Sequence, residues 1–186
     1  MITIVSGLPR SGTSLMMQML AAGGMQLLTD FERKPDDDNP RGYCEWEPAK
    51  LLPKNPTLID QAEGKAVKVI SELLLSVPHG RKYKLIFMER PLPEVLRSQD
   101  LMLQRRGTAE PLDQSLIVDA FKTHLRELSE WLTERDDLPL CRVGYRKLVG
   151  DPVTHAKTVR DFLELNLDID AMAGQVDASL YRNKQP

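Results

Sequence analysis

Apolar and polar positions along this chain switch between a period of about two and a period of about 3.6, the marks of strands and helices in turn. Ile2–Ser6 is a short β-branched apolar run that predicts a strand. A Gly/Pro/Ser loop follows, then a helix from about Thr13 to Ala22. Its Leu15, Met16, Met17, Met19 and Leu20 lie almost all round, which predicts burial on more than one side. Ala66–Ile70 and Leu85–Glu89 read as further strands, each leading into a helical pattern. The second of these helices begins near Pro91 and places Leu92, Val95, Leu96, Met102 and Leu103 on one stripe. Gln114–Arg135 predicts a longer amphipathic helix through Ile117, Phe121, Leu125, Leu128 and Leu132. Leu140–Tyr145 reads as a last strand and Pro152–Leu163 as another helix. Thr29 to Pro48 is polar, with Asp36-Asp37-Asp38 and three prolines, and reads as a long loop suited to a lid.

Alternating strands and helices predict an α/β fold with a central parallel sheet covered on both faces. In such sheets ligands bind at the carboxyl ends of the strands, so the residues leaving each strand carry the functional interest. A length of 186 residues predicts one domain, 1–186, with a substantial core. The 41% hydrophobic and 28% charged shares are those of a globular protein, and a net charge of −2 argues against a general nucleic-acid binder. Cys44 and Cys141 stand far apart with no metal-type partner, which suits a reducing compartment: Cys141 reads as a small apolar strand residue, Cys44 as a loop thiol. No basic-then-apolar leader pattern opens the chain, and no apolar run approaches the roughly 18–20 residues of a membrane span. The expectation is a cytoplasmic protein with no membrane and no nucleic-acid partner.

Gly7-Leu-Pro-Arg-Ser-Gly12-Thr13-Ser14 lies between the first strand and the first helix, with the glycine spacing of a phosphate-binding P-loop. Backbone N–H groups of such a loop and the helix N-terminus make a site for anionic oxygens. Where a nucleoside triphosphatase needs lysine, after the second glycine, this chain has Thr13; a cation stands instead at Arg10. Arg10 would cover an anion from inside the loop as a planar, bidentate donor. The missing lysine argues against ATP hydrolysis and weakens the case for magnesium.

Leu-Pro-Arg-Ser-Gly-Thr-Ser-Leu-Met, from Leu8 to Met16, closely resembles the 5′-phosphosulfate loop of sulfotransferases, above all the tyrosylprotein and related bacterial types. That resemblance implies a three-layer P-loop-kinase-like fold and the donor 3′-phosphoadenosine 5′-phosphosulfate (PAPS, leaving PAP as product), with no metal. It implies that Pro9, Arg10, Ser11, Gly12, Thr13 and Ser14 hold the 5′ end of the nucleotide. A second family signature is an arginine that ends a strand with a serine eight residues later, met here by Arg90 and Ser98. The resemblance implies that these two hold the 3′-phosphate, as a fixed cation with a nearby hydroxyl would. Read alone, Arg90 is equally a surface arginine pairing with Glu94, and Ser98 a solvated helix residue. Arg142 to Pro152 looks like a late family segment, Val-x-Tyr-Glu-x-Leu-x-x-x-Pro, with Arg146 replacing the glutamate, and reads as structural. The three similarities run from residue 5 to about 165.

Sulfuryl transfer asks for positioning and for cations around the leaving phosphate, by analogy with phosphoryl transfer. Arg10 is the first candidate. Lys68 is the second: it interrupts an apolar strand, where an unpaired ammonium would be costly, and it resembles a catalytic lysine of the tyrosylprotein enzymes. The competing reading is an edge-strand lysine reaching to water. Asn39-Pro-Arg-Gly-Tyr-Cys-Glu45 resembles a segment of small bacterial sulfotransferase-like proteins and makes Glu45 the preferred general base, with Glu32 the alternative. His79, His124 and His155 lie outside every motif. The tail from Val176 to Asn183 offers Ser179, Tyr181 and Arg182 to a bound nucleotide, or is an ordinary frayed end. The acceptor is open, with a small molecule or an exposed side chain favoured by the short chain. Two other readings stay open: a divergent P-loop small-molecule kinase, and a non-catalytic binder of PAP or a related nucleotide.

Overall fold

The computed structural model describes residues 1–30, 32–36, 39–105, 107 and 114–181. Five strands form one parallel sheet: β1 (Ile2–Gly7), β2 (Leu27–Leu28), β3 (Ala66–Lys68), β4 (Tyr83–Glu89) and β5 (Leu140–Gly144), in the spatial order β2-β3-β1-β4-β5. The helices are α1 (Thr13–Ala22), α2 (Ser71–Leu74), α3 (Leu92–Arg105), α4 (Gln114–Thr133), α5 (Tyr145–Gly150), α6 (Pro152–Leu163) and α7 (Ile169–Ala173). Short 3₁₀ segments cover Glu47–Leu51, Pro56–Ala62 and Ala178–Leu180.

The period of two along the strands sorts the core into two layers. Val5 of β1, Ile86 and Met88 of β4, and Cys141 and Val143 of β5 pack with α1, α5, α6 and α7. Ile2 and Ile4 of β1, Val67 of β3, and Leu85 and Phe87 of β4 face the other way, against the 3₁₀ segments, α2 and Leu125, Leu128 and Leu132 of α4. Helices on both faces of a parallel sheet give the expected α/β architecture. Met16, Met17, Met19 and Leu20 of α1 are all buried, as a helix apolar nearly all round requires.

Element ends differ from the sequence reading for local reasons. β3 stops at Lys68 because Ile70 already caps α2, and β5 stops at Gly144 because Tyr145 opens α5. Strand β2 was not anticipated; two residues are too few to show a period. Asp151 and Asp168 start α6 and α7, their carboxylates accepting the Thr154 and Ala171 N–H groups. No helix among the described residues is long and apolar enough to cross a membrane.

From β1 the chain runs to β2 and back through β3 on one side, then crosses to β4 and β5 on the other, so the carboxyl end of β1 lies at the switch point of the sheet. The phosphate loop stands there.

Candidate active site

The loop from Gly7 to Gly12 is built on backbone that ordinary residues resist. Gly7 has φ 150°, and a Cβ there would meet Ser11 Oγ at 2.5 Å and the Met88 carbonyl at 2.6 Å. Gly12 has φ 102°, and a Cβ would land on the Tyr145 ring. Arg10 takes the left-handed conformation at φ 68°, a strain of about 1–2 kcal/mol for a residue with a side chain. Helix α1 then opens on Gly12 with no side-chain cap. Ser11 is 1% exposed, and its hydroxyl has no hydrogen-bond partner among the described residues. The uncapped helix start fits an anionic group, whereas the Ser11 hydroxyl lies against Gly7 and Ser11 is not among the residues lining the cleft.

An arginine and a serine reach this loop from the β4–α3 side. Arg90 follows β4, and its side chain is 7% exposed, so the surface reading of this residue does not hold. Its Nε donates to Glu94 Oε2 at 3.0 Å and its Nη1 to the Arg10 carbonyl at 3.0 Å. The guanidinium lies 4.7 Å from the Tyr145 ring centre and 5.3 Å from that of Tyr181. Ser98 is buried, not solvated, and accepts from Arg10 Nε at 3.0 Å. The loop arginine and both members of the Arg-Ser pair therefore meet at one place, although they come from two different loops and a helix.

The β3 flank is arranged differently. Lys68 ends β3, which is interior to the sheet, and is 6% exposed; it is neither an edge residue nor one reaching to water. Its ammonium donates to the Tyr43 carbonyl at 2.5 Å, to Ser14 Oγ at 3.3 Å and to Glu45 Oε1 at 3.3 Å. Burial pushes the Lys68 pKa down, and Glu45 restores it only in part. Glu45 also accepts from Arg33 at 3.0 Å, and its backbone carbonyl accepts from Thr29 Oγ1 at 2.7 Å.

The second half of the long loop from Thr29 to Pro48 packs against the body of the fold. Tyr43 and Trp46 are buried, Gln18 donates to the Gly42 carbonyl at 2.8 Å, and Arg33 lies 3.3 Å over the Tyr43 ring. The Tyr43 hydroxyl donates to Asp36 at 2.6 Å. Burial first, and this bond second, push the Tyr43 pKa up.

Arg10, Gly12, Thr13, Ser14, Arg90 and Ser98 all line one cleft, with Tyr145 as a wall. Asn39 to Arg41 and the segment of Gln175, Asp177 and Leu180 form its rim. Pro9 is half-buried. Lys68 and Glu45 are not among the lining residues, and the backbone N–H of exposed Glu32 donates to Asp30. Arg182 lies outside the described residues. Arg146 donates to Glu94 at 2.7 Å.

Sequence reasoning missed Tyr145 and Tyr181 as the walls around Arg90. It treated Glu94 only as a rival partner for Arg90. The four-residue spacing from Arg90 to Glu94 was the available signal.

No family model matches the chain, and no curated protein sequence does. Solved structures do match. The sulfotransferase STF1 from Mycobacterium tuberculosis H37Rv superposes with a TM-score of 0.62 at 15% identity, over 94% of this chain and 70% of that one. The sulfotransferase domain from the curacin biosynthetic pathway gives 0.59 at 14% identity, over 100% of this chain and 92% of that one. At such identities the likeness is one of fold, and the fold of this chain is sulfotransferase-like.

Proposed function

We propose that this chain is a PAPS-dependent sulfotransferase. The observation that carries the reading is the convergence of Arg10, Arg90 and Ser98 over a P-loop that lacks the NTPase lysine. One loop with uncapped backbone donors suits a 5′-phosphosulfate. An anchored arginine with a buried serine nearby suits a second phosphate.

In this reading Ser11, Gly12, Thr13 and Ser14 hold the 5′ end of the nucleotide, and Arg90 with Ser98 holds the 3′-phosphate. PAPS supplies the activated sulfuryl group. Arg10 leaves Ser98 to stabilise the charge that develops on the leaving phosphate, its planar fork matching phosphate oxygens. Lys68 acts one step back, keeping Ser14 and the Tyr43 backbone in place. Glu45 takes the acceptor's proton by turning from its Lys68 and Arg33 contacts. It is preferred to Glu32 because its backbone is fixed by Thr29 and its side chain is tied through Lys68 to the loop. A small molecule or an exposed side chain is the acceptor. A second reading, a PAP binder without turnover, draws on the same two residues: Lys68 and Glu45 engage each other away from the cleft wall.

Calorimetric titration with PAP without magnesium, against ATP with magnesium, tests the proposal. Magnesium-independent PAP binding, weakened by Arg90→Ala about 100-fold or more, is expected, as loss of charge-assisted hydrogen bonds would give. Uptake of ATP with magnesium and none of PAP would transfer the reading to a kinase. PAP binding without sulfuryl transfer to any acceptor in a screen would favour the binder.

A further inference from the structure

Glu94 is the most completely buried charged side chain near the cleft, with none of its side chain exposed. An ionised carboxylate in that position is costly unless its oxygens are answered. Here they are: Arg90 Nε donates at 3.0 Å, Arg146 Nη2 at 2.7 Å, and the Tyr181 hydroxyl lies 2.9 and 2.8 Å from the two oxygens. Burial by itself would raise the carboxyl pKa, but the hydrogen bonds from Tyr181, Arg90 and Arg146 outweigh it and hold the group below the usual carboxylate value.

A guanidinium has five N–H donors in a rigid fork. Glu94 takes the Nε edge of Arg90, and the Arg10 carbonyl takes one donor on Nη1. Tyr145 and Tyr181, packed edge to face at 5.2 Å, flank the guanidinium. The guanidinium is thus held along one edge by Glu94 and against the corner that the two rings form, while Arg90 still lines the cleft. Tyr181 comes from the far end of the chain, so docking of that segment and orientation of Arg90 share one carboxylate.

We infer that Glu94 is a positioning residue that presents Arg90 to the 3′-phosphate, with the Tyr181 hydroxyl as the latch that couples the C-terminal segment to this site. The inference rests on the proposed PAP site and assigns that site its orienting group. Glu94 touches no ligand in this arrangement; it acts through Arg90.

The test compares PAP with adenosine 5′-phosphate, which lacks the 3′-phosphate, by calorimetry on the full chain. Wild type is expected to prefer PAP strongly. Glu94→Gln is expected to weaken PAP about 10- to 50-fold while adenosine 5′-phosphate changes by less than about two-fold. Tyr181→Phe keeps the ring and removes only the hydroxyl; it is expected to weaken PAP selectively by about 3- to 10-fold. A purely structural Glu94 would lower the thermal midpoint and change both nucleotides by the same factor, which overturns the inference while leaving the PAP site standing. If Glu94→Gln does not fold, Tyr181→Phe decides, and an unchanged PAP preference overturns the inference. Wild type that binds the two nucleotides equally would sink the 3′-phosphate site itself.

Discussion

The two flanks of the phosphate loop carry the same three ingredients, a cation, a carboxylate and a tyrosine, and put them to opposite uses. On the α3 flank the carboxylate of Glu94 is fully buried and the cation, Arg90, lies on the cleft wall. Both cations are buried, Arg90 at 7% and Lys68 at 5% exposed, but on the β3 flank the carboxylate is the open member, Glu45 at 26% against none for Glu94. Donor arithmetic explains the difference. An ammonium has three N–H groups, and Lys68 has three acceptors waiting in Tyr43, Ser14 and Glu45. Nothing is left over for a ligand. A guanidinium can be anchored on one edge and still offer donors on another. In the proposed site the α3 flank binds and the β3 flank holds a loop in place.

The largest effect that separates these roles is expected from Lys68→Ala. It strips the Tyr43 carbonyl of its buried donor and leaves Glu45 with Arg33 alone, at a cost of about 2–4 kcal/mol in urea unfolding. If, as proposed, Lys68 acts through Ser14 and not on the reacting atoms, turnover per folded molecule is expected to fall less than ten-fold. A loss of about a thousand-fold in kcat with little change in stability would reverse the comparison and put Lys68 in direct contact with the leaving group.

This contrast shows where sequence reading reaches and where it stops. The phosphate loop was legible because two glycines at fixed spacing separate a β-branched run from an apolar helix. Arg90 and Ser98 were singled out only through the family resemblance; read alone they passed for a surface arginine and a solvated serine, and the burial of both side chains is set by packing that no local pattern carries. Lys68 was visible as a charge in an apolar strand, but its partners Tyr43 and Glu45 lie in a segment without regular periodicity. The polar composition of Thr29 to Pro48 pointed to a long loop; the aromatic residues Tyr43 and Trp46 were the signal that it packs against the fold, and both are buried. Tyr181 reaches Glu94 across 87 residues of chain, a distance at which no local pattern carries information.

The flanks are also expected to respond to pH at opposite ends of the scale. The folded Glu94 pKa lies below its ordinary value, so the unfolded chain binds more protons as pH falls. Its contribution to stability is complete above the ordinary carboxylate pKa and is lost as pH drops through the folded one. Lys68 also has a lowered folded pKa, through burial, but for a cation this means folding is penalised while the group is charged. That penalty is relieved as pH rises from the folded value toward 10.5, where the unfolded chain still holds the proton. Urea midpoints measured from acid to alkaline pH should show a shallower acid limb in Glu94→Gln and a weaker alkaline gain in Lys68→Met. If each variant flattened the other limb, the assignment of buried carboxylate and buried cation to separate flanks would be wrong.

The smallest effect concerns the place where the flanks touch. Arg41, from the segment that Lys68 holds, reaches the segment that carries Tyr181: its Nη1 donates to the Gln175 carbonyl at 2.6 Å, and its Nη2 lies 4.0 Å from Asp177. Both side chains of the ion pair are 39% exposed, so the pair contributes at most about 0.5 kcal/mol to stability. Its position matters more than its strength, since Arg41, Gln175 and Asp177 all stand on the rim of the cleft. Arg41→Ala is therefore expected to leave the unfolding midpoint nearly unchanged and to speed release of PAP about two- to five-fold in stopped-flow displacement, because a bridge across the rim slows exit more than it stabilises the fold. An unchanged release rate would mean that the two rim segments move independently of bound nucleotide. The flanks would then be joined through the phosphate loop alone, by way of Ser14 on one side and Arg10 on the other.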